Sequence, residues 1–592
     1  MKTKKFFLIA MVVSLVLMGL PLTSQASWQD PVKPGWKKGE VKKGWIQSKI
    51  QHMTIEEKVG QLFIVHVYGK SAEDPAYETT NLTNNRGGKN FKEVIEKYKL
   101  GGVIYFNWSQ NITTPANLTQ VNALSNEVQK IAMEQRMPIP LFVSTDQEGG
   151  IVQRLTTPGT VFPGSMALGA TRSTELAAKS ADVLAKELKA IGVNMDFAPD
   201  ADVNMNPANP VIGVRSFGED PKLVSDMVVA QVKAFQQEGV SATAKHFPGH
   251  GDTAVDSHYG LPIINHDLET LHKVDLAPFK AAIDAGVDSI MTGHIVVPAL
   301  DDSGMPATLS KPILTDLLRG EMGFDGLIIT DSLDMSGASA VPAERIALEA
   351  FKAGADILLN PSNVVVAYNS VLDAVKSGEV SEKRLDESVY RILENKMKRG
   401  LFHDQYTDPS AISVVGAPEH LALADEIANK SITLVKNEGN LLPLQKAENV
   451  FITGPSTGKP AMLADDLKAK GFQTSSFATS ATPTAAQIST AVSRAANADK
   501  VIVTTYNGAT NAGQANLVKA LKDSGKKVIV AAIRNPYDLM AFPTADAYLA
   551  TYGDRDVSIH ALARVLANEV NPSGKLPVTI PGLYAYGAGL TY

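Results

Sequence analysis

The chain has 592 residues, of which 44% are hydrophobic and 20% are charged, with a net charge of −6 and no cysteine. This composition is typical of a globular protein, and the length predicts two or three domains. The slight negative charge gives no reason to expect nucleic acid or an anionic membrane as a partner. The lack of cysteine excludes disulfides, thiolate metal sites and a cysteine nucleophile.

The first 26 residues have the pattern of a secretory signal peptide. Lysines at positions 2, 4 and 5 precede an apolar run over residues 6–20, which is short for a membrane span, and residues 24–26 match a small-x-small cleavage site. We therefore expect cleavage near residue 26 and a protein that is secreted or associated with a bacterial cell wall. An uncleaved membrane anchor is the alternative.

Short apolar segments then alternate with amphipathic helical patterns, beginning with a capping-box sequence from Thr54 to Glu57. The eight predicted strands cover residues 61–67, 102–106, 140–145, 193–198, 240–244, 288–292, 326–330 and 355–359. This alternation predicts an α/β protein with a (β/α)8 TIM barrel over residues 27–402. A doubly wound open sheet is the competing arrangement.

Polar side chains follow most of the later strands and favour the barrel. They are Asp146 after the third strand, Asp200 and Asp202 after the fourth, Lys245 and His246 after the fifth, His294 after the sixth, Asp331 after the seventh and Asn360 after the eighth. In a barrel the ends of all strands surround one mouth, where these groups would meet. In an open sheet they would be spread along an edge.

The remaining residues predict a connecting segment and a second, smaller domain. Residues 403–446 combine turn signals with one helix and are predicted as a linker with a connecting helix. Residues 447–592 predict a second α/β unit. Its predicted strands are 450–452, 500–505, 527–533 and 547–551, and the segment 474–486, rich in Ser, Thr and Ala, is predicted as a surface loop.

The densest group of candidate functional residues runs from Lys245 to His258. Within this stretch lie three histidines, one lysine and two aspartates, interrupted by Pro248, Gly249 and Gly251. A buried strand has no use for so much charge, and Pro and Gly let a loop fold tightly over a ligand. We predict that this loop supplies the proton-transfer groups of a hydrolase.

Three residues carry the predicted catalytic chemistry: Asp331, Asp256 and His258. A carboxylate at the end of an apolar strand, as predicted for Asp331, is partly desolvated and is a better nucleophile; capping of the next helix is the alternative, and the position at the barrel mouth favours the nucleophile. Histidine titrates near neutral pH, so His258 suits proton donation, with Asp256 two residues away to fix its tautomer. A solvated loop contact is the alternative for this pair.

Five further residues suit substrate binding. Lys245, Arg215 and Arg154 are pure hydrogen-bond donors that match the hydroxyl or carbonyl groups of a sugar, and Asp146 can accept from two hydroxyls. His246 adjoins Lys245 at the end of the fifth predicted strand. A structural ion pair is the alternative for each of them.

A metal site is a further alternative for the same loop. Zinc sites use histidine and carboxylate ligands at short spacings, although a barrel site typically gathers them from several strand ends rather than from one loop. The candidate ligands are His246, His250, His258, Asp252 and Asp256.

Several motifs together resemble the bacterial β-N-acetylglucosaminidases of glycoside hydrolase family 3. They are Lys245-His-Phe-Pro-Gly-His-Gly-Asp-Thr253 with Asp256-Ser-His258, Asp146-Gln-Glu-Gly-Gly150, Arg215-Ser-Phe-Gly-Glu-Asp220, Thr330-Asp331 and Ser431-Ile-Thr-Leu-Val-Lys-Asn437. The resemblance covers about residues 45–592. It implies a barrel followed by an α/β/α sandwich, and a retaining mechanism through a covalent glycosyl-aspartate.

By this resemblance Asp331 matches the nucleophile, His258 the acid/base and Asp256 its partner. The residues that match those holding the terminal sugar are Asp146, Arg154, Arg215, Lys245 and His246. The implied function is a secreted exo-β-N-acetylglucosaminidase without cofactor or metal, acting on cell-wall muropeptides or chitooligosaccharides that contain N-acetylglucosamine. The related β-glucosidases and β-xylosidases lack the histidine loop, and the absence of a lipid-attachment cysteine implies release rather than anchoring.

Three functional alternatives accompany this hypothesis. One is a phosphorylase on the same fold, because an imidazole acid/base tolerates incoming phosphate better than an anionic carboxylate would. The second is the metal-dependent barrel hydrolase. The third is a non-catalytic wall-binding protein, against which the presence of both Asp331 and His258 argues.

Overall fold

The computed structural model describes residues 38–592, so the predicted signal sequence and its cleavage site lie outside the described residues and stay predictions. Residues 50–592 form one compact unit that contains two large sheets. The predicted capping box is confirmed, since Thr54 accepts from the backbone N–H of Glu57 and the Glu57 carboxylate accepts from that of Thr54. Across residues 38–592 no helix combines the length and hydropathy that a membrane span requires.

The strands are β1 (Phe63–Val65), β2 (Gly102–Ile104), β3 (Phe142–Thr145), β4 (Gln147–Gly149), β5 (Val152–Gln153), β6 (Met195–Asp196), β7 (Ser241–Phe247), β8 (Ser289–Thr292), β9 (Leu327–Thr330), β10 (Leu358–Leu359), β11 (Thr433–Asn437), β12 (Asn449–Pro455), β13 (Gln473–Thr479), β14 (Lys500–Thr505), β15 (Val528–Ala532) and β16 (Ala547–Ala550).

The α-helices are α1 (Lys38–His52), α2 (Ile55–Gln61), α3 (Glu78–Thr83), α4 (Phe91–Tyr98), α5 (Leu118–Met133), α6 (Ser165–Thr171), α7 (Thr174–Ala190), α8 (Pro221–Gln237), α9 (Leu268–Thr270), α10 (Ala277–Asp284), α11 (Ile346–Ala353), α12 (Val364–Lys376), α13 (Glu382–Lys398), α14 (Pro418–Ser431), α15 (Pro460–Ala469), α16 (Ala485–Arg494), α17 (Ala512–Asp523) and α18 (Asp556–Leu566). Two π-helices span Leu271–Asp275 and Pro312–Glu321. Short 3-10 helices lie at Pro75–Tyr77, Gly213–Arg215, Ala307–Leu309, Ser336–Ala338, Pro409–Val414, Glu438–Asn440, Ser456–Gly458, Ala495–Asn497, Gly508–Thr510 and Pro536–Ala541.

The first large sheet confirms the predicted barrel. Its eight parallel strands run in the order β10-β1-β2-β3-β6-β7-β8-β9, and a parallel bridge between Ile329 and Ile357 joins the two ends. All eight predicted strands overlap an observed one. The carboxyl ends of these strands therefore surround one mouth, as the polar strand ends predicted.

The fifth barrel strand is longer than predicted. The sequence places its end at Ala244, whereas β7 continues to Phe247. The reason is that the backbone of Lys245 pairs with the segment after β6: its N–H donates to the Pro199 carbonyl, and its carbonyl accepts from Ala201 N–H. Lys245 and His246 thus lie on a paired strand rather than in the loop.

The second sheet forms the smaller domain and confirms the α/β/α sandwich. Its order is β11-β16-β15-β14-β12-β13, parallel throughout except for β11, which pairs antiparallel with β16. Alternate residues pack into two separate cores, with Val501 and Val503 on one face and Ile502 on the other. β11 lies within the segment 403–446, so this sheet includes residues from 433 onward.

The prediction that residues 474–486 form a surface loop is wrong for part of that segment. Residues 473–479 form β13, which pairs with β12 along seven residues at the edge of the sheet. This edge strand carries Thr474, Ser475 and Ser476, which are exposed or partly exposed, so its composition resembles that of a surface loop.

The sandwich domain packs against loops at the barrel mouth. Arg555 donates to the backbone carbonyls of Gly150 and Ile151, at 2.7 and 3.2 Å. Asn204 donates to the hydroxyl of Tyr537 at 2.8 Å. The two domains therefore share an interface beside the carboxyl ends of the barrel strands.

Candidate active site

A pocket of about 310 Å³ lies at the barrel mouth and collects most of the predicted site residues. Seven of the eight predicted catalytic and binding residues line it: Asp146, Arg154, Arg215, Lys245, His246, His258 and Asp331. The eighth, Asp256, lies behind His258. The volume is at the lower end of the range for small-molecule sites, which suits one monosaccharide unit.

Glu148 is the centre of the pocket floor. Its carboxylate accepts from Arg215 Nε and Nη2 at 2.9 and 2.7 Å, and it lies 2.7 Å from Lys245 Nζ. Lys245 also contacts Asp146 at 3.1 Å, and Arg154 lies 3.4 Å from the other oxygen of Asp146. Burial opposes ionisation of Glu148, but Arg215 and Lys245 outweigh it and hold its pKa below the usual range.

The same contacts keep the two floor cations charged. Burial opposes the charge on Lys245, but Glu148 and Asp146 raise its pKa above the usual value. Burial likewise opposes the charge on Arg215, which Glu148 then stabilises by proximity and hydrogen bonding, so its pKa is raised. The structural ion pairs that the sequence left as an alternative are therefore present. The same residues also line the pocket.

His246 is a neutral imidazole with a fixed orientation. Its Nδ1 lies 2.8 Å from Asp202 Oδ2, and Arg215 Nη2 lies 3.3 Å from its Nε2. Burial and the adjacent Arg215 lower its pKa to about 3. Burial raises the pKa of Asp202 to about 7, although backbone N–H groups of His250 and His246 donate to it. Nδ1–H therefore donates to Asp202, and the Nε2 lone pair faces Arg215.

Asp331 follows β9 and points into the pocket. Its Oδ1 accepts from the backbone N–H of Ser332 at 2.7 Å, and the described residues make no other side-chain hydrogen bond to it. It does not cap a helix, because the next helical turn, Ser336–Ala338, has Met335 at its N-cap position. Beneath it the buried His294 contacts the Ser332 carbonyl at 2.9 Å and fixes this turn. Asp331 thus presents a partly free carboxylate to the cavity.

Asp256 and His258 form the predicted pair. His258 Nδ1 lies 2.7 Å from Asp256 Oδ1, which also accepts from the His258 backbone N–H at 2.9 Å. Burial opposes ionisation of Asp256, but these two hydrogen bonds outweigh it and lower its pKa. Nδ1 is occupied, so Nε2 is the nitrogen that is free to exchange a proton. The His258 side chain is 53% exposed and lines the pocket, which distinguishes it from a purely solvated loop contact.

The histidine loop, residues 248–260, is anchored at both ends. His250 is buried and its ring nitrogens contact Thr253 and Ser257 at 2.6 and 3.0 Å. At the far end Gly337 N–H donates to the Ser257 carbonyl, which ties the loop to the segment that follows Asp331. At Gly251 a side chain would approach the Val203 carbonyl oxygen to 1.7 Å, so only glycine fits.

His266 provides a second anchor for this loop. Its Nε2 lies 2.9 Å from Asp252 of the loop, and its Nδ1 lies 2.7 Å from Asp275 in the π-helix. Burial opposes protonation, but the hydrogen bond to Asp275 and the contacts with both carboxylates outweigh it and raise the His266 pKa. A protonated His266 therefore bridges two acids.

The predicted metal ligands do not converge. Within residues 38–592 the only group of three such donors within 4.8 Å is Asp200, Asp202 and His246. His246 Nδ1 there already contacts Asp202, and Arg215 Nε lies 3.9 Å from Asp200. The histidine-loop ligand set has no geometric support, because no three of its members come together within 4.8 Å in residues 38–592.

The sequence did not assign a role to three residues at the site. Glu148 lies two positions after Asp146 on an extended segment, a spacing that places both on one face. For Asp202 the sequence predicts only a position at a strand end. Trp108 follows β2, is 49% exposed, stacks on Phe106 with centroids 4.6 Å apart and lines the pocket. The signal that the sequence offers is a tryptophan just past a predicted barrel strand.

Comparison with known proteins gives consistent matches over both domains. Residues 54–395 match the glycosyl hydrolase family 3 N-terminal domain, and residues 432–586 match its C-terminal domain. β-Hexosaminidase A of Pseudoalteromonas piscicida is 36% identical over 551 residues, which is 82% of this chain and 90% of the relative. A β-N-acetylglucosaminidase/β-glucosidase of Cellulomonas fimi is 30% identical, over 75% of this chain and 85% of the relative.

A solved structure shows the same architecture. The family 3 β-N-acetylglucosaminidase from Paenibacillus sp. str. FPU-7 is 37% identical, with a TM-score of 0.80, and the match covers 89% of this chain and 99% of that one. Sequence and structure agree over both domains, and the chain belongs to glycosyl hydrolase family 3 and is a glycoside hydrolase.

Proposed function

We propose that this protein is a retaining exo-β-N-acetylglucosaminidase that removes terminal non-reducing N-acetylglucosamine through a covalent glycosyl-aspartate. The observation that carries the proposal is that Asp331 and His258 line one cavity of monosaccharide size. The names of the Pseudoalteromonas and Paenibacillus relatives support the same activity.

Asp331 is the proposed nucleophile at the anomeric carbon. Its carboxylate makes one side-chain hydrogen bond within the described chain, which leaves the other oxygen available. Retaining hydrolysis needs this nucleophile on one side of the sugar and a proton donor on the other. The cavity is lined by such a donor, His258, from a different segment.

His258 is the proposed acid and then base. Protonated Nε2 donates to the departing glycosidic oxygen, and the free base then takes a proton from the water that resolves the glycosyl-enzyme. Asp256 on Nδ1 orients the ring and stabilises the imidazolium, as a carboxylate does beside a catalytic histidine. This dyad replaces the second carboxylic acid that most such enzymes use.

The charged floor is the proposed holder of the terminal sugar. Asp146 can accept from sugar hydroxyls, while Arg154 and Lys245 donate. Glu148 pre-positions the two buried cations, so little reorganisation is needed when the sugar binds. The neutral His246 can accept a hydrogen bond from the sugar through Nε2, or it can change its position together with Arg215.

The natural substrates that we propose are cell-wall muropeptides or chitooligosaccharides. The protein would act on them outside the cytoplasm, after removal of the signal peptide. The support is the N-terminal pattern of the sequence together with the histidine loop. Detection of the mature N-terminus near residue 27 in the culture medium or wall fraction tests this localisation; a cell-retained chain that begins at Met1 contradicts it.

One experiment tests the activity and its main rival. The purified protein is assayed on N-acetylglucosaminide, glucoside and xyloside, with and without inorganic phosphate, and the product anomer is followed by NMR. We expect free β-N-acetylglucosamine from the first substrate as the initial product. Sugar 1-phosphate formed in place of the free sugar would establish the phosphorylase instead, and loss of activity with a chelator would establish the metal-dependent alternative.

A further inference from the structure

His294 is a fully buried histidine beside the segment that carries Asp331. We call residues 331–338 the nucleophile turn. His294 lies two residues after β8, and it does not line the active-site pocket. Its Nε2 lies 2.9 Å from the Ser332 carbonyl oxygen, and its Nδ1 lies 2.8 Å from the Thr308 hydroxyl oxygen. The proposed reaction gives this ring no chemical step, so any role in catalysis must act through these contacts.

The hydrogen bonds of His294 have a fixed direction. Burial lowers the pKa of His294, although the charge of Asp331 opposes this shift, so the ring is neutral. The carbonyl oxygen can only accept, so Nε2 carries the proton and Nδ1 accepts from the Thr308 hydroxyl. Thr308 is anchored in turn, because its Oγ1 lies 2.7 Å from Thr292 Oγ1 and 3.1 Å from the Gly293 carbonyl oxygen. The imidazole is therefore held in one tautomer and one orientation.

The nucleophile turn also carries the contacts to the histidine loop. Near its far end the backbone N–H of Ser336 donates to the His258 carbonyl at 3.4 Å, and that of Gly337 donates to the Ser257 carbonyl at 3.0 Å. A Cβ atom at Gly337 would approach the Cβ of His294 to 2.8 Å, so the turn packs closely on this histidine. His294 therefore contacts the turn twice: at the carbonyl next to the nucleophile, and at the glycine that is bonded to the loop.

We propose that His294 is a positioning residue that sets the spacing between Asp331 and His258. The proposal rests on the proposed function, because it takes Asp331 as the nucleophile and His258 as the acid. A retaining glycosidase needs these two groups at a fixed separation across the anomeric carbon, about 5 Å where both are carboxyl groups. His294 acts through the backbone of the nucleophile turn and not on the sugar. A displacement of about 1 Å at the reacting groups can reduce a rate on the order of 10²-fold.

The test uses His294→Leu, which removes both hydrogen bonds of the ring and keeps an apolar side chain. The measurement is kcat on two substrates, a disaccharide of N-acetylglucosamine and a nitrophenyl N-acetylglucosaminide. We expect kcat to fall about 10²-fold on the disaccharide, which needs the nucleophile and the acid in place together. The fall on the nitrophenyl glycoside should be smaller, because its leaving group needs no protonation. Partial unfolding would instead reduce both rates by the same factor.

Two milder variants test the route of the effect. His294→Gln keeps an amide donor for the Ser332 carbonyl and should retain more of the disaccharide kcat than His294→Leu does. Thr308→Val removes the donor to Nδ1 and should reduce that kcat on the order of tenfold, as for the loss of one hydrogen bond. The double variant His294→Leu/Thr308→Val should be no slower than His294→Leu alone, because both changes act through the same contact. Losses that multiply in the double variant would contradict this route.

The matched control removes another buried histidine. His420 in α14 is buried, its Nδ1 lies 2.9 Å from Glu187, and it does not line the pocket. His420→Leu should leave the ratio of the two kcat values as in the wild type.

Thermal unfolding checks that each variant is folded; if His294→Leu is not, His294→Gln and Thr308→Val supply the same comparison of substrates. Equal losses on both substrates in the His294 variants, or the same change of ratio in His420→Leu, overturn the proposal. If the wild type hydrolyses no N-acetylglucosaminide, the proposed function itself fails. Wild-type hydrolysis with unchanged kinetics in His294→Leu rejects the positioning role alone.

Discussion

The floor of the pocket and its histidine-loop side are built in opposite ways. On the floor, Glu148, Lys245 and Arg215 are almost fully buried, and each contacts at least two charged or polar partners. On the loop, His258 is 53% exposed and its side chain makes one hydrogen bond, to Asp256. The first region is a network and the second is a single pair.

This difference follows from what each region must do. Burial separates the floor charges from water, so their protonation is fixed and their donors and acceptors are held in place before a ligand arrives. A group that gives and retakes a proton must instead be within reach of solvent and substrate, as the exposed side chain of His258 is. We therefore propose that the barrel binds the sugar and that the loop transfers the proton.

The largest effect should come from Asp331, which lines the same pocket as both regions. Asp331→Ala removes the proposed nucleophile, and we expect kcat on a chromogenic N-acetylglucosaminide to fall on the order of 10⁴-fold or more. Asp325→Ala, at the other end of β9 and exposed, is the control and should retain full activity. Wild-type turnover by Asp331→Ala would place the nucleophile elsewhere.

The loss of activity in His258→Ala should depend on the leaving group of the substrate. We expect a loss of about 10²-fold or more for a disaccharide, which needs protonation of the departing oxygen, and a much smaller loss for a nitrophenyl glycoside, which does not. The measurement is kcat/KM on both substrates, with the exposed His272→Ala as control. Equal losses on the two substrates would contradict proton donation by this side chain.

Glu148→Gln should lower the stability of the protein as well as its affinity for the sugar. The change removes the negative charge that Lys245 and Arg215 both contact and leaves these two cations buried. Breaking such a buried ion pair costs roughly 3–5 kcal/mol. We expect a lower midpoint of denaturant unfolding and a higher KM. The exposed pair Glu175–Lys179 supplies the control, since Glu175→Gln should leave the denaturation midpoint close to that of the wild type. Similar costs for both variants would show that the floor is not a cooperative network.

The barrel and the residues at its mouth could be predicted from the sequence. The alternation of strands and helices indicates the barrel, and the position of polar residues after the strands indicates the mouth. Apolar strands alternate with helices, and the polar residue after each strand end predicted a shared mouth before any contact was known. That argument found Asp146, His246 and Asp331. It did not reveal which of these groups pair with each other.

Partners across the sheet were the part that the sequence could not supply. Glu148 contacts Arg215 and Lys245, which lie 67 and 97 positions away along the chain, and no local pattern encodes such pairs. The edge strand β13 was missed for a related reason, since its Ser and Thr side chains satisfy the composition rules of a loop. What decides these features is the neighbour in space.

The smallest expected effect concerns His266, which joins the loop to the fold. Because its pKa is raised in the folded protein, its protonated form stabilises the fold fully below the unfolded-state value of about 6.5, and that contribution is lost as pH rises through the raised folded value. His266→Gln should therefore lower the free energy of unfolding most at acid pH, by less than about 1 kcal/mol because the site is partly exposed, and the gap from wild type should close towards alkaline pH. Thermal unfolding of both proteins across this range is the measurement. A gap that stays constant, or widens as the histidine loses its proton, would mean that the loop is held by packing around Gly251 and His250 rather than by this charge.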